Sequence, residues 1–221
     1  MVVRIGMAPR AAGLSIEDCQ RHWRTAHAAA ALGIPGLRAY TQNHAVLDAG
    51  RPLLPYPGFD VCAETQFDSL EAMDAAFASA HYRGTVRDDE TQLIDGTRFR
   101  LAVCARRVLV DGSPPGDAVK LMTFLRADGP PERLADVLAD GYAAEVAALA
   151  PARHEQLIPL AESRADGRVP PVCDAVDVLW FATAAEALDA VHGALSERAG
   201  WRLAGHAFGS ERLLARPHRV R

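Results

Sequence analysis

The sequence predicts an α+β protein in which two tandem units each have the order β-α-β-β-α-β. Three observations lead to this prediction: strand and helix patterns follow one another in that order in both halves, prolines and glycines interrupt the chain near its midpoint, and segments of the two halves are similar. The 221 residues leave room for two domains of about 100 residues each. This order of elements is that of the ferredoxin-like split βαβ motif.

The first unit begins with a strand and a long helix. Residues 2–9, VVRIGMAP, are mostly apolar and end at a proline, which is typical of a strand followed by a turn. Ser15 is a suitable N-cap and precedes an acidic first turn, so we expect a helix over residues 15–32. Alternation in LRAYTQNHAV, residues 37–46, then predicts the second strand.

The remainder of this unit repeats the strand and helix pattern. FDVCAETQF, residues 59–67, predicts a third strand, and Ser69 is positioned to cap the helix LEAMDAAFAS. DDETQLID, residues 88–95, fits a short helix or a loop. RFRLAVCARRVLV, residues 98–110, predicts the fourth strand and completes the unit.

A second unit follows the segment DGSPPGD, residues 111–117. Consecutive prolines flanked by glycines end regular structure, so we place one domain at residues 1–111 and the other at 118–221. The elements expected in the second domain are a strand in VKLMTFLRA, a helix in PPERLADVLADGYAAEVAAL, a strand in CDAVDVLWF, a helix capped by Thr183, and a strand in LLARPHRV.

The two halves carry a trace of internal duplication. FDVCAETQFDSLEAMDAAF aligns with CDAVDVLWFATAAEALDAV, which places Asp60 over Asp174 and Phe67 over Phe181. A four-stranded sheet with helices on one face leaves its other face bare, and packing two such sheets face to face buries both. We therefore expect the chain to form within itself a barrel of the kind that two separate single-unit chains would form as a dimer.

Composition and charge argue against several classes of protein. Hydrophobic residues make up 49% and charged residues 24%, as in soluble globular proteins, and no apolar run is long enough to span a membrane, so we predict a cytoplasmic protein without membrane contact. Cys19, Cys62, Cys104 and Cys173 are far apart, which favours buried thiols over a disulfide framework or zinc site. The net charge is −4, and the basic end at 212–221 fits a solvated terminus better than a nucleic-acid site.

One long segment resembles a known family. GLSIEDCQRHWRTAHAAAALGIPGLRAYTQNHAV is similar to the opening of EthD-type proteins, in which a GLS-type cap, a helix with an aromatic residue and a histidine, PGL and a QNH segment occur in register. FDVCAETQFDSLEAM and DDETQLID resemble later segments of the family. The resemblance covers roughly the first half of the chain. It implies the dimeric α+β barrel superfamily, with members such as polyketide cyclases, muconolactone isomerases, cofactor-free monooxygenases and some haem-handling proteins.

The second unit departs from the family pattern. Aligning the two units places Leu138 at the position of Trp23 and Tyr142 at that of His27. We therefore predict a pocket in the first unit and a degenerate second unit that chiefly completes the barrel. Tyr142 and Trp180 are candidates to line a pocket of different character.

His27 is the candidate catalytic residue. The predicted apolar stripe of the first helix consists of Ile16, Cys19, Trp23, Ala26 and Ala30. His27 falls inside this stripe and therefore faces the sheet, where loss of water would keep its imidazole neutral and able to accept a proton as a general base. A buried histidine can equally serve only to hydrogen-bond a strand carbonyl or a neighbouring side chain. Both roles stay open at this stage.

His22 lies on the flank of the same helix. On a regular helix His22 and His27 point about 140° apart, so they cannot bind one metal ion together. The chain also lacks HExxH, Walker, GxGxxG and GxSxG patterns. The sequence therefore predicts no metal site and no cofactor.

Five residues are candidates for substrate binding: Trp23, Tyr40, Asn43, His44 and Asp60. Trp23 fits core packing and also a pocket wall. Tyr40 and His44 share one face of the second strand and Asn43 lies on the other, and the sequence does not indicate which face meets the helices. Asp60 could contact substrate or a histidine, or end a strand in solvent.

The first hypothesis for function is a cofactor-independent enzyme acting on a small aromatic or polyketide-like molecule. His27 would abstract a proton from carbon, leading to dehydration, isomerisation or cyclisation, decarboxylation, or reaction with oxygen. The alternative is a non-catalytic EthD-domain protein that binds a small molecule or haem. Expected partners are a small-molecule substrate and, as a candidate, a second copy of the chain.

Overall fold

The computed structural model describes residues 1–164 and 171–221. The strands are β1 Val2–Ala8, β2 Ala39–Ala45, β3 Leu47–Asp48, β4 Arg51–Pro52, β5 Val61–Phe67, β6 Arg100–Val110, β7 Val119–Ala127, β8 Arg153–Pro159, β9 Ala175–Phe181 and β10 Ala207–Arg219. The α-helices are α1 Ile16–His22, α2 Ala28–Ala31, α3 Leu70–Ala78, α4 Arg87–Leu93, α5 Pro131–Val137, α6 Ala143–Ala147, α7 Ala184–His192 and α8 Arg198–Leu203. Three π-helical turns join consecutive helices or precede one, at Trp23–His27, Tyr82–Val86 and Leu138–Tyr142.

Eight strands close an antiparallel barrel in the order β1-β5-β2-β10-β7-β9-β8-β6. The first unit contributes the order β6-β1-β5-β2 and the second contributes β10-β7-β9-β8, so the two units have the same internal topology. They are joined by two antiparallel seams, β2 with β10 and β6 with β8. The predicted fold, two tandem ferredoxin-like units forming one barrel within the chain, is confirmed.

Alternation along the strands divides the core into a barrel interior and two outer layers. On β1, Val3, Ile5 and Met7 belong to an apolar cluster to which all eight barrel strands or their flanking residues contribute. Val2 instead packs with the helices of the first unit, and the second unit has a corresponding cluster under its own helices. The helices therefore cover the outside of the barrel, and any cleft between helix and sheet lies there.

A charged group inside the barrel links the two units. Lys120 of β7 forms an ion pair with Glu64 of β5, and its ammonium also lies 3.3 Å from Asn43 of β2. Burial raises the pKa of Glu64, but the ion pairs with Lys120 and Arg106 outweigh it and hold that pKa below its ordinary value. A buried pair of this kind fixes the relative placement of the strands that carry it.

The predicted helix over residues 15–32 is present but not regular. Ser15 caps it as predicted, and the turn Trp23–His27 is π-helical. Because a π turn contains one extra residue, the buried stripe shifts beyond it: Ala26 is exposed and Ala30 only half-buried, whereas His27 and Ala31 are buried. The expectation that Ala26 faces the core is therefore wrong, whereas Ala30 packs against the core but is only partly buried.

Most other predicted elements lie where expected. DDETQLID belongs to helix α4 rather than a loop, and the last strand starts earlier than predicted, at Ala207. Strand β8, helix α8 and the short β3–β4 hairpin were not predicted. The four cysteines are buried thiols, and within the described ranges no helix is long and apolar enough to cross a membrane.

The duplication is visible in specific contacts. Asp60 accepts a hydrogen bond from the backbone N–H of Arg10, just beyond β1, and Asp174 accepts one from that of Ala127, at the end of β7. The π turns Trp23–His27 and Leu138–Tyr142 occupy equivalent positions in the two units. This agrees with the sequence alignment, which places those two segments opposite each other.

Candidate active site

A cavity of about 50 Å³ lies between the helices of the first unit and the outer face of β1, β2 and β5. Its apolar lining includes Ala31, Ile34, Ala63, Phe77 and Phe99, and its polar lining consists of Arg4, Trp23, His27, Tyr40, Thr65, Tyr82 and Glu90. A water molecule needs roughly 10–15 Å³ of such space, so the cavity holds about three to five waters or a molecule of a few heavy atoms.

His27 is held at the wall of this cavity by a carboxylate. Its Nδ1 lies 2.8 Å from Oδ2 of Asp89, on helix α4, and the residue is 8% exposed. A carboxylate accepts the Nδ1–H, which fixes the tautomer with the lone pair on Nε2. No residue of the described chain hydrogen-bonds that Nε2. The nitrogen that could take a proton is therefore the one left for a molecule in the cavity.

The second histidine shares the same carboxylate. Nε2 of His22 lies 2.8 Å from Oδ1 of Asp89. The expectation that His22 and His27 diverge by about 140° assumed a regular helix and is wrong, because the π turn Trp23–His27 rotates both side chains toward α4. In the parts of the chain that are described, no group of three or more His, Cys, Asp or Glu side chains is arranged to hold a metal ion.

A strand glutamine supports the π turn. Nε2 of Gln42 donates to the backbone carbonyl of Trp23 at 2.6 Å, and the same carbonyl accepts the N–H of Ala28, five residues on. Gln42 lies on β2 on the same face as Tyr40, so this face meets the helices. The irregular turn that positions His27 is thus fixed by a specific side chain of the sheet.

Tyr40 presents a polarised hydroxyl to the cavity. Its oxygen accepts hydrogen bonds from Nε1 of Trp23 at 2.9 Å and from Nε2 of Gln42 at 3.2 Å. Burial raises the pKa of Tyr40, and the two donors oppose that rise. Because the oxygen already accepts two bonds, its own O–H is the part left to donate, and the described protein offers it no acceptor. Tyr40 can therefore donate to an oxygen of a bound molecule.

Arg4 and Glu90 supply the charges of the cavity. The guanidinium of Arg4 lies over the ring of Phe77 at 4.1 Å and near that of Phe99 at 5.2 Å. Burial lowers the pKa of Arg4, but a guanidinium stays charged in any protein. Glu90 accepts a hydrogen bond from Tyr82 and is paired with Arg87 at 3.0 Å. The negative charge of Glu90 is thus balanced by Arg87 and does not depend on Arg4.

Three of the predicted substrate-binding residues, Asn43, Asp60 and His44, do not line this cavity. Asn43 points into the barrel, where its amide donates to Glu64 at 2.9 Å. Asp60 pairs with Arg10 and accepts a hydrogen bond from Tyr56, beside a different and more open groove. Neither Asn43 nor Asp60 lines the cavity beside His27, because the first lies on the opposite face of the sheet and the second at the end of a strand.

His44 faces the helices but lies beyond the cavity. Its ring is 4.6 Å from that of Trp23, and its Nε2 is 2.9 Å from the amide oxygen of Gln42. Burial, with smaller effects from the nearby charges of Arg24 and His218, lowers the pKa of His44 to about 3. Of the predicted residues, His27, Trp23 and Tyr40 are therefore the ones brought together.

The second unit has the same strands, π turn and supporting glutamine, but a different side chain beneath the turn. Gln156 donates to the carbonyl of Leu138 at 2.8 Å, as Gln42 does to that of Trp23. Across the sheet Gln42 is paired with Ala63, and Gln156 with Asp177, so Asp177 stands where the first unit has alanine. The side chain beneath the π turn is therefore a carboxylate in the second unit and a methyl group in the first.

Asp177 is fully engaged by its own protein. Its Oδ2 accepts from the hydroxyl of Tyr142 at 3.0 Å, and its Oδ1 lies 2.7 Å from Nε2 of His154. Burial and the Asp177 carboxylate raise the pKa of Tyr142 far above its ordinary value. Tyr142 also borders a pocket of about 340 Å³. Trp180 does not: its ring lies 5.1 Å from the Lys120 ammonium.

Sequence reasoning missed Arg4, Asp89 and Glu90. A signal for Arg4 was present, since it is the one charged residue in an otherwise apolar strand whose two faces are both covered. Asp89 lies in the run DDE, residues 88–90, and the sequence alone does not indicate which of three adjacent acids faces His27.

Comparison with known proteins supports both the domain and the fold. Residues 11–97 match the model of the EthD domain. No curated protein sequence gave a match. This range contains the whole helix with His27, the strand with Tyr40, and helix α4 with Asp89.

Solved structures with the same barrel are distant in sequence. A proposed monooxygenase of Lactobacillus acidophilus NCFM is 12% identical, with coverage of 100% of this chain and 94% of that chain and a TM-score of 0.57. An anthrone oxidase-like protein is 14% identical, with coverage of 99% and 93% and a TM-score of 0.68. A chlorite dismutase of Candidatus Nitrospira defluvii is 9% identical, with coverage of 99% and 92% and a TM-score of 0.59.

These neighbours share the fold over nearly the full length of the chain, although their sequence identity is low. The matched family model covers the first unit, and the second unit repeats its topology without its site. Residues 11–97 therefore match the EthD domain, and the two units together have the fold of a dimeric α+β barrel built from a single chain.

Proposed function

We propose that the cavity of the first unit is the active site of an enzyme acting on a small molecule, with His27 as the general base. The observation that carries this proposal is the pairing of His27 Nδ1 with Asp89, which leaves Nε2 at the wall of the cavity. An oriented, neutral imidazole is a suitable base for a carbon-bound proton. The names of the neighbours, an anthrone oxidase-like protein and a proposed monooxygenase, support a small-molecule enzyme.

The chemistry begins with removal of a proton from carbon next to a carbonyl. The proton moves to Nε2 of His27, Asp89 stabilises the imidazolium that results, and the electron pair moves onto the carbonyl oxygen as an enolate. The hydroxyl of Tyr40, polarised by Trp23 and Gln42, donates to that oxygen. Return of the proton to another carbon gives isomerisation, and its transfer to a leaving hydroxyl gives dehydration. Cyclisation and reaction with oxygen start from the same enolate.

Cavity size constrains the substrate. A volume of about 50 Å³ admits a molecule of a few heavy atoms, whereas an aromatic or polyketide-like substrate requires the rings of Phe99 and Tyr82 to move outward. Drug-sized ligands occupy pockets of roughly 300–1,000 Å³. A haem group is of that size and does not fit beside His27 without such a movement, so the haem-binding alternative has little support from this cavity.

The proposal is tested by exchange of carbon-bound hydrogen. Acetylacetone and acetoacetate are incubated in D₂O, and the loss of their α-proton signals is followed by NMR with and without protein. We expect the protein to accelerate exchange, and His27→Ala to lower that acceleration by about 10²- to 10⁴-fold, the usual contribution of a general base.

His192→Ala is the matched control, because His192 is exposed at the end of helix α7 and lies in the other unit. It should exchange protons as fast as the unmodified protein. Equal activity of the His27 variant, or no acceleration by the unmodified protein with either compound, would contradict the role of His27 as a base.

Two further expectations stay predictions. A non-catalytic binding protein would bind these compounds without accelerating exchange, so the same experiment separates the alternative function.

The barrel is closed by strands of one chain, and a second copy is therefore not needed to complete it. A homodimer would form through outer surfaces instead, and size-exclusion chromatography with light scattering measures it directly.

A further inference from the structure

The cavity contains a cation without an acid bonded to it. Within residues 1–164 and 171–221, no hydrogen bond or ion pair satisfies the guanidinium of Arg4, which is packed between the rings of Phe77 and Phe99. The nearest acid that affects it is Glu90, whose carboxylate is already bound by Arg87 and Tyr82. Arg4 is half-buried, and a charge partly removed from water is costly when it is unpaired, which points to a missing anion.

The guanidinium of Arg4 lies close to Ala63 of β5, whose small side chain leaves space for a ligand. A side chain at Gly6 would meet Nη1 of Arg4 at 3.1 Å, so the Arg4 side chain folds back over Gly6. Gly6 is paired across the sheet with Ala63 of β5. Cross-strand partners are about 5 Å apart, so a negative group near Ala63 would be within reach of Arg4.

The second unit has a carboxylate at this same place. Asp177 corresponds to Ala63, and Thr123, its partner across the sheet, corresponds to Gly6. Its carboxylate is bound by Tyr142, which stands at the position of His27. Where the second unit has the carboxylate of Asp177, the first unit has Ala63, with Arg4 among the residues that line the cavity.

The remaining donors are arranged alike in the two units. His154 and Gln156 donate to Asp177 from the strand positions occupied in the first unit by Tyr40 and Gln42. The hydroxyl of Tyr40 is available to donate in the same way as the ring of His154 does. Asp177 thus marks the position that an anion in the first unit would take.

We propose that the first-unit cavity binds the carboxylate of a small organic acid, near the side chain of Ala63, between Arg4 and the hydroxyl of Tyr40. The inference rests on the proposed function only in placing the substrate in this cavity. It narrows the substrate class to anionic compounds whose acidic carbon lies next to His27. Charge-assisted bonds from a guanidinium and a hydroxyl are strong and directional enough to select an acid over its neutral amide.

Binding is measured without turnover, by protein-observed NMR with acetate and acetamide. The chain has three tryptophans, and the indole N–H of Trp23 donates to Tyr40 at the cavity. We expect acetate to shift the Trp23 indole signal in a saturable way, while acetamide leaves it unchanged. The signal of Trp201, which is 80% exposed, is the internal reference. Equal shifts with acetate and acetamide would overturn the proposal.

Arg4→Gln tests the cation directly. Loss of a charge-assisted bond should weaken acetate binding by about 10- to 100-fold, and Arg4→Lys should restore part of it. Arg83→Gln is the control, because it removes the same charge from an exposed position of the same unit. An Arg4→Gln protein that binds acetate as tightly as the Arg83→Gln protein contradicts the proposal.

Ala63→Asp supplies the anion from the chain itself, as the second unit does. It should place the Trp23 signal near its acetate-saturated position, abolish acetate binding, and melt at a higher temperature than Ala63→Asn, which has the same shape without the charge. A lower melting temperature for the aspartate variant would mean that the cavity does not favour an anion.

The outcomes separate this inference from the proposed function. Acetate binding that depends on Arg4, together with no proton exchange, would support the anion site and reject the base. Proton exchange that depends on His27, together with acetate binding that is unchanged in the Arg4 variant, would support the base and reject the anion site.

Discussion

The π turns Trp23–His27 and Leu138–Tyr142 occupy equivalent places in the two units, yet their surroundings differ in one respect. In the second unit Tyr142, His154 and Gln156 each hydrogen-bond the same carboxylate, that of Asp177. In the first unit the corresponding groups enclose a cavity, where His27, Tyr40 and Arg4 keep bonding capacity that the described protein does not use. The same backbone thus holds a closed polar cluster in one unit and an open one in the other.

This difference indicates which features of the unit are structural and which are functional. The glutamine on the second strand and the π turn are present in both units, so they belong to the frame. Arg4 and His27 have no counterpart of the same residue type in the second unit. Polar groups that the described protein leaves unbonded beside a cavity indicate a place where a ligand is expected.

The largest loss of stability is expected from removing Asp177, the centre of the polar cluster in the second unit. Asp177→Ala leaves the buried residues Tyr142 and His154 without their acceptor, and it creates a small void. We expect it to lower the free energy of unfolding by about 3–5 kcal/mol. Asp89→Ala in the first unit should cost only about 1–2 kcal/mol, because its histidine partners are closer to solvent.

Urea unfolding of the two aspartate variants measures this contrast. Equal losses of stability would show that the cluster of the first unit is as closed as that of the second. In that case the distinction between a structural and a functional cluster would fail.

A second contrast concerns pH. His44 on β2 corresponds to Ile158 on β8, so the titratable group is present in one unit only. Burial lowers the pKa of His44 from 6.5 to about 3, which means that the unfolded chain binds a proton below pH 6.5 that the folded protein does not. Stability therefore falls as pH decreases from 6.5 toward 3, by about 2 kcal/mol at pH 5 from this group alone.

His44→Phe keeps a ring against Trp23 and removes the titration. Between pH 7 and pH 5 this variant should lose about 2 kcal/mol less stability than the unmodified protein, measured by urea unfolding at both pH values. Parallel pH profiles for the two proteins would mean that His44 is protonated in the folded state.

The sequence predicted the fold well because the signals for it are local. Alternation located the strands, Ser15, Ser69 and Thr183 capped helices where expected, and the duplication implied the barrel. The π turn was not predictable, because a regular 3.6-residue period was assumed and only the glutamine of a distant strand shows that the turn is held open. That single extra residue moved Ala26 off the buried face.

The site was predicted only in part, because the sequence signals are local. Residues close in sequence to His27, namely Trp23 and Tyr40, were found, whereas Asp89 lies 62 positions away and its role depends on tertiary packing. Asn43 and His44 were grouped with Tyr40 because a strand pattern does not indicate which face is covered. Arg4 was overlooked although a charge in a covered strand is informative without any structure.

The smallest effect tests whether the two π turns are equivalent parts of the frame. Gln42→Leu and Gln156→Leu each remove a hydrogen bond to a π-turn carbonyl, so we expect each to lower stability by about 1 kcal/mol. The consequences for function should differ. Gln42→Leu also removes a donor to Tyr40 and releases the turn that aims His27, so it should slow proton exchange in the NMR assay, while Gln156→Leu should leave exchange unchanged. Slower exchange in both variants would mean that the second unit governs the geometry of the first, because no residue around Gln156 lines the cavity beside His27.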